Sequence, residues 1–506
     1  MKSGVEILNT YVTIKCLLRG ECFEMQFNSY IYICAFLPVM LLTYFIASKI
    51  NVTLGKSCLV VGSLIFYAYS GINTVICMVI SLVINYFFAV IITKIDKWHK
   101  LCMSIPIIIN IGLLLYFKYT NFVISNVNMI FGKEIALCDI VMPIGISFFT
   151  FQQIAYLVAI FNGEIKQGIL DYLAYILYFP KILMGPLTDP VDFILQLNDE
   201  SLKKVNWDNI SYGIKIFSFG LFKKLLLADT FTKAVSWGYT NTEIATPMDW
   251  MLIMLFYTLE IYFDFSGYSD MAVGSSIMLN ITLPINFDSP YKALSIRDFW
   301  KRWHISLTKF FTKYVYIPLG GSRKGLCFTY LNTMIVFLIS GLWHGANWTF
   351  ILWGILHGAF SLMDRIIDKF EVKIFEPFRW MMTFMVVNVL WLLFRCDSVI
   401  QWKNILVQIL TMNNTMASDG LISTFVIQES SFLSNLIPMV NVGNSLIRGF
   451  WMLMFIVFSL TICFIPENNY RNLKKNSSGT MVFAAIAFVW SFICLSGESV
   501  FVYFNF

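Results

Sequence analysis

At 506 residues, with 58% hydrophobic and only 13% charged residues and a mean hydropathy of +0.71, the chain is much more apolar than a soluble domain, where about a quarter of residues are charged. This balance predicts an all-α, polytopic transmembrane helical bundle and excludes a globular enzyme carried on one anchor. The net charge of +6 is spread thinly, with no basic tract to suggest a nucleic-acid partner, and the 11 cysteines form neither a CxxC pair nor a Cys/His cluster, so no metal site and no disulfide scaffold are expected.

Along the chain, residues 1–24 look like neither a secretory signal nor a span, with Lys15, Arg19, Glu21 and Glu24 interrupting them. They are expected to be a non-native or disordered extension, with Met25 as the natural start. Hydrophobic stretches then recur near 28–48, 57–70, 72–93, 101–117, 140–162, 170–187, 210–228, 249–279, 328–342, 346–363, 379–396, 448–465 and 480–495. Several are short or broken, so about 11 spanning helices are expected, with re-entrant or interfacial helices beside them. The basic loops at Lys49/Lys56 and at Lys94, Lys97 and Lys100 face the cytoplasm by the positive-inside rule, and His99 is a solvated member of the second. The broken pieces Tyr178–Leu187 and Tyr291–Gly321 are candidates for an internal site, because irregular backbone survives at membrane depth only when covered or lining a cavity. Met412 to Asn444 reads as a surface loop or amphipathic excursion.

Ordered motifs accompany this pattern. They are Asn28-Ser29 with Phe36-Leu37-Pro38; Met142 to Gln152 (MPIGISFFTFQ); Tyr178 to Pro186 (YFPKILMGP); Gly220 to Leu225 (GLFKKL); Tyr262 to Ala272 (YFDFSGYSDMA); Phe299 to Leu307 (FWKRWHISL); Tyr316 to Arg323 (YIPLGGSR); Ser340 to Trp348 (SGLWHGANW); and Phe501 to Phe506. With these motifs the chain from Met25 onward resembles the membrane-bound O-acyltransferase superfamily, and within it the branch of alginate O-acetyltransferases and their cell-wall relatives. The resemblance implies a single membrane domain over 25–506, built around a central tunnel that an acyl donor enters from the cytoplasm and an acceptor from outside. It implies acetyl-coenzyme A as donor substrate with no bound cofactor, an exported polysaccharide or peptidoglycan as acceptor, an extracytoplasmic partner protein and a bacterial plasma membrane. It carries two histidines over as His344, with the main catalytic role, and His304. The chain departs from the pattern at Thr188-Asp189-Pro190, where relatives commonly place an arginine.

The residues also speak for themselves. The chain has four histidines, and His344 lies between apolar runs Met334–Ile339 and Trp348–Ile355, beside Gly345, where a ligand could approach. A buried imidazole is neutral and competent as a base, although a bond to a neighbouring helix would also explain its place. Oxyanion donors could come from Trp303, Trp343, Asn347 or freed backbone N–H groups. If Ser295 to Thr312 is one helix, Arg297, Lys301 and His304 share a face. That face either meets the phosphates of a nucleotide-bearing donor or is a positive-inside anchor, with Asp298 and Arg302 paired. On one straight helix His357 is about 220° round from His344 and about 20 Å along, so it reads as a bundle-interior hydrogen-bonding residue. Glu260, Asp264 and Asp270 are costly in lipid and either pair with lysine or arginine or support the histidines. Lys181, Lys223 and Lys224 bind donor phosphates or snorkel. No GxSxG elbow, P-loop or Rossmann fingerprint is present.

Two rivals are weighed. D-alanyl transfer to teichoic acid from a carrier protein ranks second, because Ile317 to Arg323 resembles the acetylating branch more. A polysaccharide or solute transporter with a His/Asp proton relay predicts symmetric internal repeats, and the sequence shows none.

Overall fold

Helix starts in this chain are set by short polar side chains that satisfy otherwise orphaned amides. Asn51, Asp189, Ser295, Asn347, Ser398, Asn444 and Ser477 each accept a hydrogen bond from a backbone N–H two or three residues on. The computed structural model describes residues 25–95, 98–412, 415–426, 443–466, 468, 470, 477–495 and 501, and among them there is no strand. The expected extension at 1–24 and most of the 412–444 segment lie outside the described residues.

The first helices are α1 (Leu37–Ile50, entered through a π-helical turn, Tyr32–Phe36), α2 (Val52–Ala68), α3 (Ile72–Lys94) and α4 (His99–Phe131). Next come α5 (Ile146–Phe161), α6 (Ile169–Leu177), α7 (Pro190–Asn198), α8 (Trp207–Phe222), α9 (Asp229–Thr240) and α10 (Pro247–Met278). The short α11 (Ile296–Arg302) and α12 (Ile305–Phe311) precede α13 (Leu326–His344), α14 (Trp348–Lys369) and α15 (Glu376–Arg395). The last are α16 (Val399–Thr411), α17 (Asp419–Ser423), α18 (Ser445–Phe464) and α19 (Ser478–Ile493).

Seven helices among the described residues are long and apolar enough to cross a membrane: Tyr32–Ile50, α3, α4, α13, α14, α15 and α18. The apolar α2, α5 and α19 are shorter. The chain is therefore an all-α, multi-pass membrane protein, while the expected count of about 11 is not confirmed. Two expected spans explain part of the shortfall. Helix α10 carries Asp249, Glu260, Asp264 and Asp270, and the 170–187 stretch yields only nine-residue α6 before the backbone turns irregular.

The chain forms two compact units, one of the described residues up to Phe217 with Met271–Pro284, the other of Ser218–Asp270 with Ile285–Phe506. In the first, the irregular segment from Tyr178 to Leu187 is buried throughout. Phe179 N–H in its backbone donates to the Ser63 hydroxyl (3.0 Å), and the Tyr178 and Ser276 hydroxyls bond each other (2.8 Å). Lys181 donates to Thr188 (2.8 Å) and sits over the Tyr175 ring, 3.6 Å from its centroid. Asn85, Asn110 and Gln153 join α3, α4 and α5 by buried amide–amide hydrogen bonds.

The second unit packs a broad aromatic core around α10, α11 and the α13–α15 hairpins. Two of its buried carboxylates are ion-paired, whereas Glu260, equally buried, has one carboxylate oxygen without a hydrogen-bond partner among the described residues. Lys224 bonds Asp264 (2.7 Å) and Asp229 (2.9 Å), and Lys223 bonds Asp270 (2.7 Å). The pairing reading of Asp264 and Asp270 is the one observed. It also gives Lys223 and Lys224 carboxylate partners rather than a free surface for phosphates.

Candidate active site

Helix α13 ends at His344 because Gly345 is extended and Asn347 caps α14, its Oδ1 accepting from Thr349 N–H (3.1 Å). The two helices return on each other with their backbones nearly touching. A Cβ at Gly341 would lie 2.3 Å from the Phe350 carbonyl oxygen, and one at Gly354 2.5 Å from that of Phe337. The hairpin lays His344 against Trp353, ring centroids 5.2 Å apart, and against Phe394 of α15 at 5.1 Å. Gly345 does not serve a ligand's approach, as its sequence position suggested. A Cβ there would lie 2.1 Å from the Phe350 ring, so the space belongs to Phe350.

His304 stands at a break. The expected continuous helix from Ser295 to Thr312 stops after Arg302, and His304 adopts φ +45°, ψ +51°, left-handed values that a residue with a Cβ rarely takes. Tertiary clamps impose this. Ile305 N–H donates to the Asn286 carbonyl (3.0 Å), Ser306 N–H and Oγ–H donate to Asn286 Oδ1 (3.2 and 2.6 Å), and Asp288 N–H donates to the Arg302 carbonyl (2.9 Å). Arg297 and Lys301 remain one turn apart on α11, but His304 does not share their face, which corrects the single-helix expectation. The kink turns His304 inward to 1% exposure, against Phe265 (4.7 Å between centroids) and Trp343 (6.3 Å). Both its ring nitrogens are buried without a hydrogen-bond partner among the described residues. Trp343 is 4.9 Å from His344, so one indole stands between the two imidazoles.

Of the other expected site residues, Trp303 joins the same core, 4.9 Å from Trp391. The polar ones are engaged elsewhere. Arg297 bonds Asp368 (2.8 Å), Arg302 pairs with Asp298 (2.9 Å) as its spacing predicted, and Lys301 is exposed. The Asn347 amide donates to the Asp397 carbonyl (2.9 Å) besides capping α14, and Asp264 is held by Lys224. His357 accepts a hydrogen bond at Nδ1 from Trp300 Nε1–H (3.2 Å), as a bundle-interior residue would. Its separation from His344 on one straight helix does not apply, because the helix breaks between them. Both rings touch Trp353, His357 at 4.6 Å. Sequence reasoning missed Trp353, Phe394 and Asn286. Asn347 before Trp348-Thr349 is a helix-cap signal that could have exposed the hairpin and so Trp353, whereas Phe394 and Asn286 reach the site only through tertiary packing.

Two neutral-capable imidazoles in an aromatic, water-poor core can pass a proton to or from a substrate hydroxyl. Among the described residues no group of His, Cys, Asp and Glu could hold a metal ion.

Comparison with known proteins gives a consistent answer. The profile of the MBOAT, membrane-bound O-acyltransferase family matches residues 165–400. A peptidoglycan O-acetyltransferase of Helicobacter pylori is 35% identical, over 96% of this chain and 98% of its own. A probable alginate O-acetylase of Pseudomonas aeruginosa is 33% identical, over 75% of this chain and 74% of its own. A teichoic acid D-alanyltransferase of Bacillus subtilis is 26% identical, over 48% of this chain and 63% of its own.

Proposed function

Because the chain belongs to the membrane-bound O-acyltransferase family and is a multi-pass membrane acyltransferase, we propose that it moves acetyl groups from cytoplasmic acetyl-coenzyme A to hydroxyls of an exported polysaccharide or peptidoglycan. His344 is the general base, and His304 positions the reactants or relays the proton. The observation that carries this reading is the buried pair itself, two imidazoles that both contact Trp343, with both nitrogens of His304 unpartnered among the described residues. A histidine buried at such cost, in a conformation imposed by Asn286, is a group placed for use. Aromatic walls exclude water, which would otherwise hydrolyse the thioester. Trp303 and Trp343 line the donor's approach, and an extracytoplasmic protein completes delivery at the plasma membrane of a bacterial cell.

D-alanyl transfer stands second. The D-alanyltransferase relative covers under half of this chain, whereas the peptidoglycan relative spans nearly all of it.

The test uses purified wild type and His344→Ala in lipid nanodiscs, with release of free coenzyme A from acetyl-coenzyme A followed with and without peptidoglycan. Release by wild type that peptidoglycan stimulates and His344→Ala abolishes is the expected result. Equal, undetectable release by both, together with proton-coupled solute uptake by wild type, sinks the enzyme reading.

A further inference from the structure

Trp353 stands between two imidazoles, its centroid 5.2 Å from that of His344 and 4.6 Å from that of His357. It is fully buried at 0% exposure, and His357 at 1%. Trp300 fixes the protonation of His357. Its N–H donates to Nδ1 (3.2 Å), so the neutral ring carries its own hydrogen at Nε2. His357 Nε2 and Trp353 Nε1 are therefore both donors, and neither has an acceptor among the described residues. Native proteins rarely leave buried donors unpaired, and here two occur on touching rings, one of them against His344. Packing keeps them in place, with Trp353 stacked on Trp391 at 5.9 Å and 26° and in edge contact with Trp300 at 5.6 Å. Two unpaired donors on touching, packed rings suit an oxygen that carries or gains negative charge.

We propose that Trp353 Nε1–H and His357 Nε2–H bind the acyl carbonyl oxygen of the thioester and stabilise it as it becomes an oxyanion. The inference rests on acyl transfer at His344. The acceptor oxygen bonds to the carbonyl carbon, its proton passes to His344, and the π electrons of the carbonyl move onto the oxygen held by the two donors. Collapse re-forms the C=O bond and breaks the C–S bond, and the departing thiolate takes the proton back from His344. No further reactant is required. Trp300 acts through His357, as a positioning residue that sets its tautomer.

The decisive variant replaces Trp353 with benzothienylalanine, which keeps the ring's shape and substitutes sulfur for the N–H. Two natural variants accompany it: His357→Gln, which keeps a donor and an acceptor, and His357→Met, which keeps neither. With acetyl-coenzyme A and peptidoglycan in nanodiscs, the analogue should lower kcat by about 10²–10³-fold while KM for acetyl-coenzyme A stays within about threefold. His357→Met should fall in the same way and His357→Gln recover at least about tenfold over it. Wild-type kcat in the analogue, a loss confined to KM, or equal losses in the two His357 variants overturns the proposal. Wild-type turnover that does not depend on His344 removes the underlying acyl-transfer reading and this one with it, whereas His344-dependent turnover with an unaffected analogue removes this one alone.

Discussion

His304 holds a left-handed backbone (φ +45°) that costs a residue with a Cβ roughly 1–2 kcal/mol relative to glycine. The same residue supplies an imidazole with both nitrogens unpartnered among the described residues. Backbone and side chain therefore make separable demands. His304→Gly and His304→Ala should both lose about 10²-fold or more in kcat, since neither can move a proton. The glycine variant should nevertheless melt at a higher temperature than the alanine variant, by a difference equivalent to about 1 kcal/mol. Thermal unfolding of the two in one detergent checks the order, and an alanine variant as stable as the glycine one would show that the backbone is not strained. A second site couples sterics to chemistry. Ala at Gly345 would place its Cβ 2.1 Å from the Phe350 ring, which packs on Phe394 (4.8 Å), which in turn packs on His344 (5.1 Å). Gly345→Ala should thus reduce kcat by about 10-fold to 10²-fold through a displaced imidazole, and Phe350→Leu in the same chain should restore part of it. Measured kcat for the single and double variants gives the coupling, and additive losses would dissociate Phe350 from the effect.

At the scale of elements, what was legible in the sequence is what local chemistry decides. The capping residues mark helix starts, the apolar runs mark the long spans, and the i, i+4 spacing of Asp298 and Arg302 predicted a pair found at 2.9 Å. The break at Trp303-His304 was not legible, since its residues have no local reason to leave a helix. It is imposed by tertiary bonds to Asn286 and Asp288, and the Asn286–Ser306 bond spans 20 residues, well beyond helix-local spacing. The place of His357 was missed for a related reason: Gly345 and Asn347 break the helix, but only the folded hairpin shows which ring returns to His344. That hairpin depends on glycine. Gly341 and Gly354 each face a backbone carbonyl, which cannot swing aside, at 2.3 and 2.5 Å from a built Cβ. Gly341→Ala and Gly354→Ala should therefore each separate α13 from α14 and cost about 1–3 kcal/mol, with turnover lost because His344 rides on the displaced end. A Cβ at Gly449, in α18, would meet nothing within 4 Å among the described residues, so Gly449→Ala should leave turnover intact and raise stability by up to about 1 kcal/mol. Melting midpoints and coenzyme A release for the three variants test the contrast, and similar behaviour of all three would discard the close-packing account.

At the scale of the whole molecule, charge distribution sets how the α13–α14 hairpin meets the membrane. Helix α13 begins just after Arg323-Lys324, α14 returns to Lys369, and Lys373 and Arg379 follow before and within the start of α15. Arg297 is tied to that end through Asp368 (2.8 Å). The opposite end holds His344, Gly345, Asn347 and Asp397, with Arg395 its nearest cation in sequence. The 19 residues of α13 rise about 28 Å, close to the thickness of the hydrocarbon core. By the positive-inside rule the Lys369–Glu376 turn is cytoplasmic and His344 lies towards the outer face. On the proposed reading, a donor from the cytoplasm then reaches deep into the protein, and the acceptor hydroxyl has the shorter path. This orientation is directly testable, because Asp397 and Lys373 are both exposed. Measured against the unsubstituted protein, Asp397→Cys should react with a membrane-impermeant maleimide on intact cells, and Lys373→Cys only after permeabilisation. The reverse labelling pattern would turn the hairpin over, bring His344 to the cytoplasmic side, and remove the proposed passage of an acetyl group across the membrane at this site.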